Sequence, residues 1–190
     1  MNQAFYEEEE FKGRNLSSHP LTKGDYENCR FSSCKFTKAD LSSINFIDCE
    51  FSDCDFSNAK FYGASLRNAE FIDCKLLGLN FDECNPMLLS MTFKGCILNF
   101  SSFLKVEMKN TGFTGCSLQE VDFTEANFSH SVFDDCDFSG AKFDRTNLEK
   151  VDFRTSYNYS IAPNNNHIRK AKFSANGLAG LLEKYDIEIE

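Results

Sequence analysis

The sequence predicts an all-β fold, a narrow parallel solenoid with a filled interior, and three observations carry that prediction. First, a bulky apolar residue recurs at every fifth position from Tyr26: Phe31, Phe36, Leu41, Phe46, Phe51, Phe56, Phe61, Leu66, Phe71, Leu76 and Phe81. The phase runs on to Pro86, slips by two residues, and resumes at Phe93, Leu98, Phe103, Met108, Phe113, Leu118, Phe123, Phe128, Phe133, Phe138, Phe143, Leu148 and Phe153. Of these 26 central positions, 17 are Phe and six are Leu, which rules out chance. A period of five fits neither an α-helix nor a strand, so the backbone must turn a corner every five residues. Second, the position two before each central residue is compact, as at Cys29, Cys34, Ala39, Cys49, Cys54, Ala59, Ala64, Ala69 and Cys74. The other three positions of each pentad are mostly polar, so two side chains in five point inward.

The third observation sets the size of one coil. Cys34, Cys54 and Cys74 are 20 residues apart, and so are Cys96, Cys116 and Cys136; the gap from Cys74 to Cys96 is 22. A shared period of 20 means four pentads per coil. The extra two residues place a bulge at 86–91, "PMLLSM", which includes Met87, Leu88 and Leu89. At a strand spacing of ~4.8 Å, about six and a half coils make a rod roughly 31 Å long.

Composition narrows the function. The chain has 190 residues and a net charge of −9, enough length for one domain and the wrong sign for direct contact with nucleic-acid phosphates. The start "MNQAFYEEEEFKG" lacks the basic and apolar segments of a signal peptide, and no apolar run matches a membrane span. Nine cysteines without an export signal predict reduced thiols and a cytoplasmic location.

The pentads "AKFYG", "AEFID", "ANFSH" and "AKFDR" resemble the A-[D/N]-L-x-x pattern of pentapeptide-repeat proteins, and the resemblance covers residues 24–155. It implies a right-handed quadrilateral β-helix with Leu or Phe at the central position. A solenoid is a scaffold, so the fold alone assigns no activity.

Both ends of such a stack need caps. Residues 1–23 keep apolar phase at Phe11, Leu16 and Leu21, but the matching inner positions are Glu9, Arg14 and His19, which are costly to bury. This segment is expected to be a lead-in and cap. Residues 156–173 form an Asn-rich irregular connection. In residues 174–190, Leu178, Leu181, Leu182 and Tyr185 lie at helical spacing, predicting a short α-helix over about 175–185. "DIEIE" then alternates as a strand. This ending resembles that of the quinolone-resistance (Qnr) pentapeptide proteins and the microcin B17 immunity protein. The resemblance implies a homodimer joined through Leu178, Leu181, Leu182, Tyr185, Ile187 and Ile189; the alternative is a monomer's cap.

Enzyme chemistry finds no support in the sequence. All nine cysteines, Cys84 included, precede a central residue by two and so point inward. Parallel in-register rungs hold their Cβ atoms too far apart for good disulfide geometry, and zinc needs convergent ligands. Buried thiols of this kind act as small apolar side chains. His19, His130 and His167 are scattered, and no nucleophile, phosphate-loop or zinc motif is present. No enzyme activity, cofactor or metal is expected.

The exterior is more informative. The face centred on Phe31, Phe51, Phe71, Phe93, Phe113, Phe133 and Phe153 carries Glu50, Asp53, Glu70, Asp73, Asp134, Asp135 and Asp152 against Arg30, Lys94 and Arg154. Carboxylate ladders on a narrow rod can imitate duplex DNA, although charge also simply keeps β-structure soluble. On the cysteine-ladder face, Leu77, Ile97 and Phe100 occupy outward positions beside the bulge, and an apolar patch of this kind marks contacts unless the bulge covers it. The Qnr-like ending implies a DNA mimic that binds DNA gyrase or topoisomerase IV and protects it from quinolones or a peptide toxin. The chain departs from many Qnr proteins in lacking long projecting loops. The other reading is a protein-interaction scaffold with an unrelated partner.

Overall fold

A computed structural model describes residues 4–87 and 89–188. Its strands, in chain order, are β1 (Ala4–Glu7), β2 (Glu10–Lys12), β3 (Gly24–Glu27), β4 (Arg30–Ser32), β5 (Asn45–Ile47), β6 (Glu50–Ser52), β7 (Ser65–Arg67), β8 (Ala69–Ile72), β9 (Met91–Lys94), β10 (Gly112–Thr114) and β11 (Val132–Asp134). They form two parallel sheets, ordered β1-β3-β5-β7 and β11-β10-β9-β8-β6-β4-β2. Partners are 20 residues apart, as in Phe31↔Phe51, and 22 apart across the insertion, as in Phe71↔Phe93. The remaining two faces pair through single parallel bridges such as Lys35↔Asp55 and Asp122↔Lys142. The result is a four-faced parallel β-helix.

Each corner has a local cause. The second residue after a central one takes a left-handed conformation, for example Lys38 (φ 58°), Asp53 (φ 52°), Asn58 (φ 55°) and Gly78 (φ 64°). Where the backbone turns most sharply, the next inner residue donates its N–H back to the central carbonyl, as in Ala39 N–H to Phe36 O (2.8 Å) and Ala59 N–H to Phe56 O (2.8 Å). This is the hydrogen bond of a type II β-turn, which favours Gly or Asn at its left-handed position.

Of the 26 central residues, all but Pro86 are buried. On the second face the rings of Phe11, Phe31, Phe51, Phe71, Phe93, Phe113, Phe133, Phe153 and Phe173 form one unbroken stack, with neighbouring centroids 4.5–5.4 Å apart. Rings on adjoining faces meet edge-on, as Phe46 and Phe51 do at 78°. Offset stacks along the rod and edge contacts across it are the two favoured aromatic geometries.

The parallel pairing extends beyond the regular pentads at both ends. β1 and β2 pair with the next coil, and Phe11 and Leu16 are buried. Glu9, Arg14 and His19 stay exposed, because no coil among the described residues precedes theirs. Arg14 lies instead over the Phe11 ring, 4.9 Å from its centroid, and shields the end of the stack. At the other end, bridges Asn147↔His167 and Asp152↔Lys172 carry the ladder through the irregular segment. There Tyr159, one residue out of phase, supplies the buried ring between Phe153 and Phe173.

The C-terminal segment departs from expectation. Residues Ala175–Leu181 and Glu183–Tyr185 form 3-10 helices, where an α-helix is expected. The cause is two close approaches: a Cβ on Gly177 would overlap Tyr159 Oη, and one on Gly180 would overlap the Tyr159 carbonyl oxygen. The segment is thus pressed onto the end of the rod and tightened to i→i+3 bonding. Residues 186–188 form no strand, and Asp186 ends the second helix in a left-handed conformation (φ 50°). Ile189 and Leu88 lie outside the described residues.

Candidate functional site

The second face does not present its seven carboxylates as one ladder. Glu50, Asp53, Glu70 and Asp73 stack on neighbouring coils, with Glu50 directly opposite Glu70. Asp134, Asp135 and Asp152 form a separate group, and the rungs between carry Thr92, Lys94, Gly95, Gly112, Thr114 and Gly115. The second group is partly satisfied internally. Arg154 grips both Asp152 oxygens at 3.0 and 2.8 Å, and Lys172 adds a contact at 3.6 Å. The Arg154 hydrogen bond holds the Asp152 carboxyl below its ordinary range. Asp134 accepts from Thr155 Oγ1 at 2.8 Å.

The first group belongs to a larger acidic surface that the face-by-face reading divided. Over residues 4–13, 24–33, 44–53 and 64–73, which build the first two faces of four coils, the acids are Glu7, Glu8, Glu9, Glu10, Asp25, Glu27, Asp48, Glu50, Asp53, Glu70 and Asp73. Only Lys12, Arg30 and Arg67 oppose them. That is a net eight negative charges over four rungs, or one per ~2.4 Å of rod at a rung spacing of ~4.8 Å. Duplex DNA carries one per ~1.7 Å. The signal in the sequence was the Glu7–Glu10 run, which looks like a cap until β1 and β2 place it in register with the next coil.

Elsewhere acids and bases are interspersed. Asp40 faces Lys60 across the parallel ladder, Asp55 faces Lys35 and Lys75, and Arg145 reaches Glu125 at 2.8 Å. Over the length of those faces acids and bases largely offset one another, with local exceptions such as Asp82 and Glu83, which leaves the first four coils as the concentrated negative surface.

The apolar residues divide by position. Ile97 and Phe100 are exposed, Phe100 strongly so at 68%, whereas Leu77 is half-buried. The bulge does not cover them: Met87 projects into solvent at 74% exposure, while Leu89 is buried. At the C-terminal tip, Leu181 packs against the core and Leu182 is half-buried; Leu178, Tyr185 and Ile187 are exposed.

All nine cysteines are buried and none is in a disulfide. Six of them, Cys29, Cys34, Cys49, Cys54, Cys74 and Cys96, also have a polar task that size alone does not reveal. Cys34, Cys54 and Cys74 direct Sγ at the carbonyls of Phe11, Phe31 and Phe51, 3.3–3.4 Å away in the preceding coil. Ser101, Thr146 and Ser156 do the same for Leu76, Phe123 and Phe133 at 2.8–2.9 Å. Burial pushes the Cys49 and Cys84 thiols up to about 12, far from a reactive thiolate. Among the described residues, no cluster of His, Cys, Asp and Glu is arranged to hold a metal ion, and no helix is long and apolar enough to cross a membrane.

Five-residue steps, four to a coil, around stacked phenylalanines define a β-solenoid of the pentapeptide type. The chain belongs to the pentapeptide-repeat family, matching the description "pentapeptide repeat region" over residues 21–103 and 106–181. Among solved structures it is similar to full-length QnrB1, described as a plasmid-mediated fluoroquinolone resistance protein. The two are 21% identical, the TM-score is 0.65, and the match covers 97% of this chain and 100% of QnrB1. A trypsin-treated QnrB1 variant matches at 19% identity and TM-score 0.63 over 100% of both chains. At these identities the likeness concerns the fold. No curated protein sequence matches the chain.

Proposed function

We propose that this protein binds a bacterial type II topoisomerase, DNA gyrase or topoisomerase IV, by imitating duplex DNA, and that it shields the enzyme from quinolones or a peptide toxin. The observation that carries the reading is the acidic surface of the first four coils, whose charge per unit length approaches that of the duplex. A basic saddle built for DNA meets there a rod of similar linear charge, and complementary fields speed and orient the encounter. The fold shared with QnrB1, a fluoroquinolone resistance protein, supports the same reading. In it the protein works in the cytoplasm without cofactor or catalysis, and a homodimer forms through the apolar tip at Leu178, Leu182, Tyr185 and Ile187. Asp134, Asp135 and Asp152 contribute less than Glu50, Asp53, Glu70 and Asp73, because Arg154 and Lys172 already neutralise part of that group.

The test is a gyrase supercoiling assay with purified protein, with and without a quinolone. Inhibition or protection at micromolar protein is expected; no effect at that concentration sinks the proposal. A second reading, a scaffold for an unrelated protein, draws on the exposed Phe100.

A further inference from the structure

The two-residue insertion removes one rung from the first face. β7 is the last strand of its sheet, and on that face parallel bridging resumes only at Glu107↔Asn127. The gap leaves a cavity of about 270 Å³ whose apolar lining is Phe81, Cys84, Pro86, Leu89, Leu104 and Val106. That is room for one bulky side chain. Phe100 lies in the same coil as Leu104, at the preceding corner.

Phe100 is anomalous on two counts. Its φ of 62° puts a bulky side chain in the left-handed region, and its ring is 68% exposed. Every other non-glycine residue with positive φ among the described residues is polar or charged. Such backbone strain persists where the surroundings hold it, and it concentrates at binding sites. Nothing in the core compensates for this ring, since it packs outward.

From the gap and this ring we infer a docking site for a polypeptide segment that carries one bulky apolar anchor flanked by Lys or Arg. The anchor fills the cavity beside Leu104, and the segment runs back along the fourth face to Phe100, which does not line the cavity itself. Charge selects the flanks: Asp82 and Glu83 have no ion pair among the described residues, whereas Lys105 is engaged by Glu125 at 3.6 Å. The uncompensated charge at the rim is therefore negative, and a second copy of a chain of net charge −9 is disfavoured there. The site abuts β7, the last rung of the acidic surface on the first face, but its lining shares no residue with that surface. Its failure leaves the topoisomerase reading standing, and the reverse holds too.

Panning a phage-displayed library of random peptides on the full-length protein tests this, followed by fluorescence anisotropy with the enriched peptide. The expected consensus has one Phe, Leu or Met between basic residues. Phe100→Gly is expected to weaken binding at least about tenfold, the scale of a hot-spot side chain, while melting no lower than wild type because glycine suits the corner. Asp82→Lys with Glu83→Lys should weaken it too. No enrichment over bare support, an acidic or anchorless consensus, or equal binding by Phe100→Gly overturns the inference.

Discussion

A buried phenylalanine in this rod has ring partners above, below and beside it, so its deletion cannot be absorbed by collapse from one side. Phe113 is fully buried between Phe93 (4.8 Å) and Phe133 (4.6 Å). Phe113→Ala should cost ~3–5 kcal/mol in chemical denaturation. Phe11→Ala should cost less, because among the described residues that ring is stacked on one side only, by Phe31. Asp152 makes a prediction with a sign. Its carboxyl is held below the ordinary value by Arg154, so the native state gains from ionisation. That gain is fully present above the unfolded pKa of about 3.9 and disappears as pH falls through the lower folded value. Asp152→Asn should therefore melt slightly below wild type at pH 7, by ~1 kcal/mol or less for an exposed pair, and the difference should close in strong acid. A difference that persists at low pH would point to packing. The inner cysteines show where sequence reasoning stopped short. Their size and direction were legible from spacing, but their service to the carbonyls of the preceding coil was not. That role depends on the register that sets each inner side chain against a carbonyl of the coil before it, and Ser101, Thr146 and Ser156 fill it from the same position.

Elements were legible wherever the period held. The pentads placed all the regular corners, and the cysteine gap located the insertion. The failures lie where one contact overrides a pattern. Leu178, Leu181, Leu182 and Tyr185 have α-helical spacing, yet the press of Gly177 and Gly180 against Tyr159 tightens that segment into 3-10 turns. Tyr159 itself stands one residue out of phase, which hid the last coil, and Glu9, Arg14 and His19 hid the first. The same contacts give a test of the dimer. Gly177→Ala would collide with Tyr159 and lift the C-terminal segment from the rod, while leaving the distant coils intact. If the tip joins two copies, light scattering should show the dimer mass of wild type falling to that of a monomer, with the far-ultraviolet β signal retained. An unchanged mass would remove the tip from the interface.

At the scale of the molecule, charge is distributed unevenly along a rod of constant section. The first four coils carry a net excess of acids on two adjacent faces, and on the other faces acids and bases largely offset one another. The sequence made the second face visible as acidic but not its merger with the Glu7–Glu10 run, because that merger requires the register of β1 and β2. Association driven by such a surface should weaken steeply with added salt. The central claim is that this surface occupies a site built for DNA, and competition tests it most directly. Gyrase is bound to a fluorescent duplex, and the unlabelled protein is added at low ionic strength. Wild type should displace the duplex at micromolar concentration. A folded variant with Glu50, Asp53, Glu70 and Asp73 changed to Lys should not. Failure of wild type to displace the duplex, or equal displacement by the variant, would contradict DNA mimicry by the acidic coils.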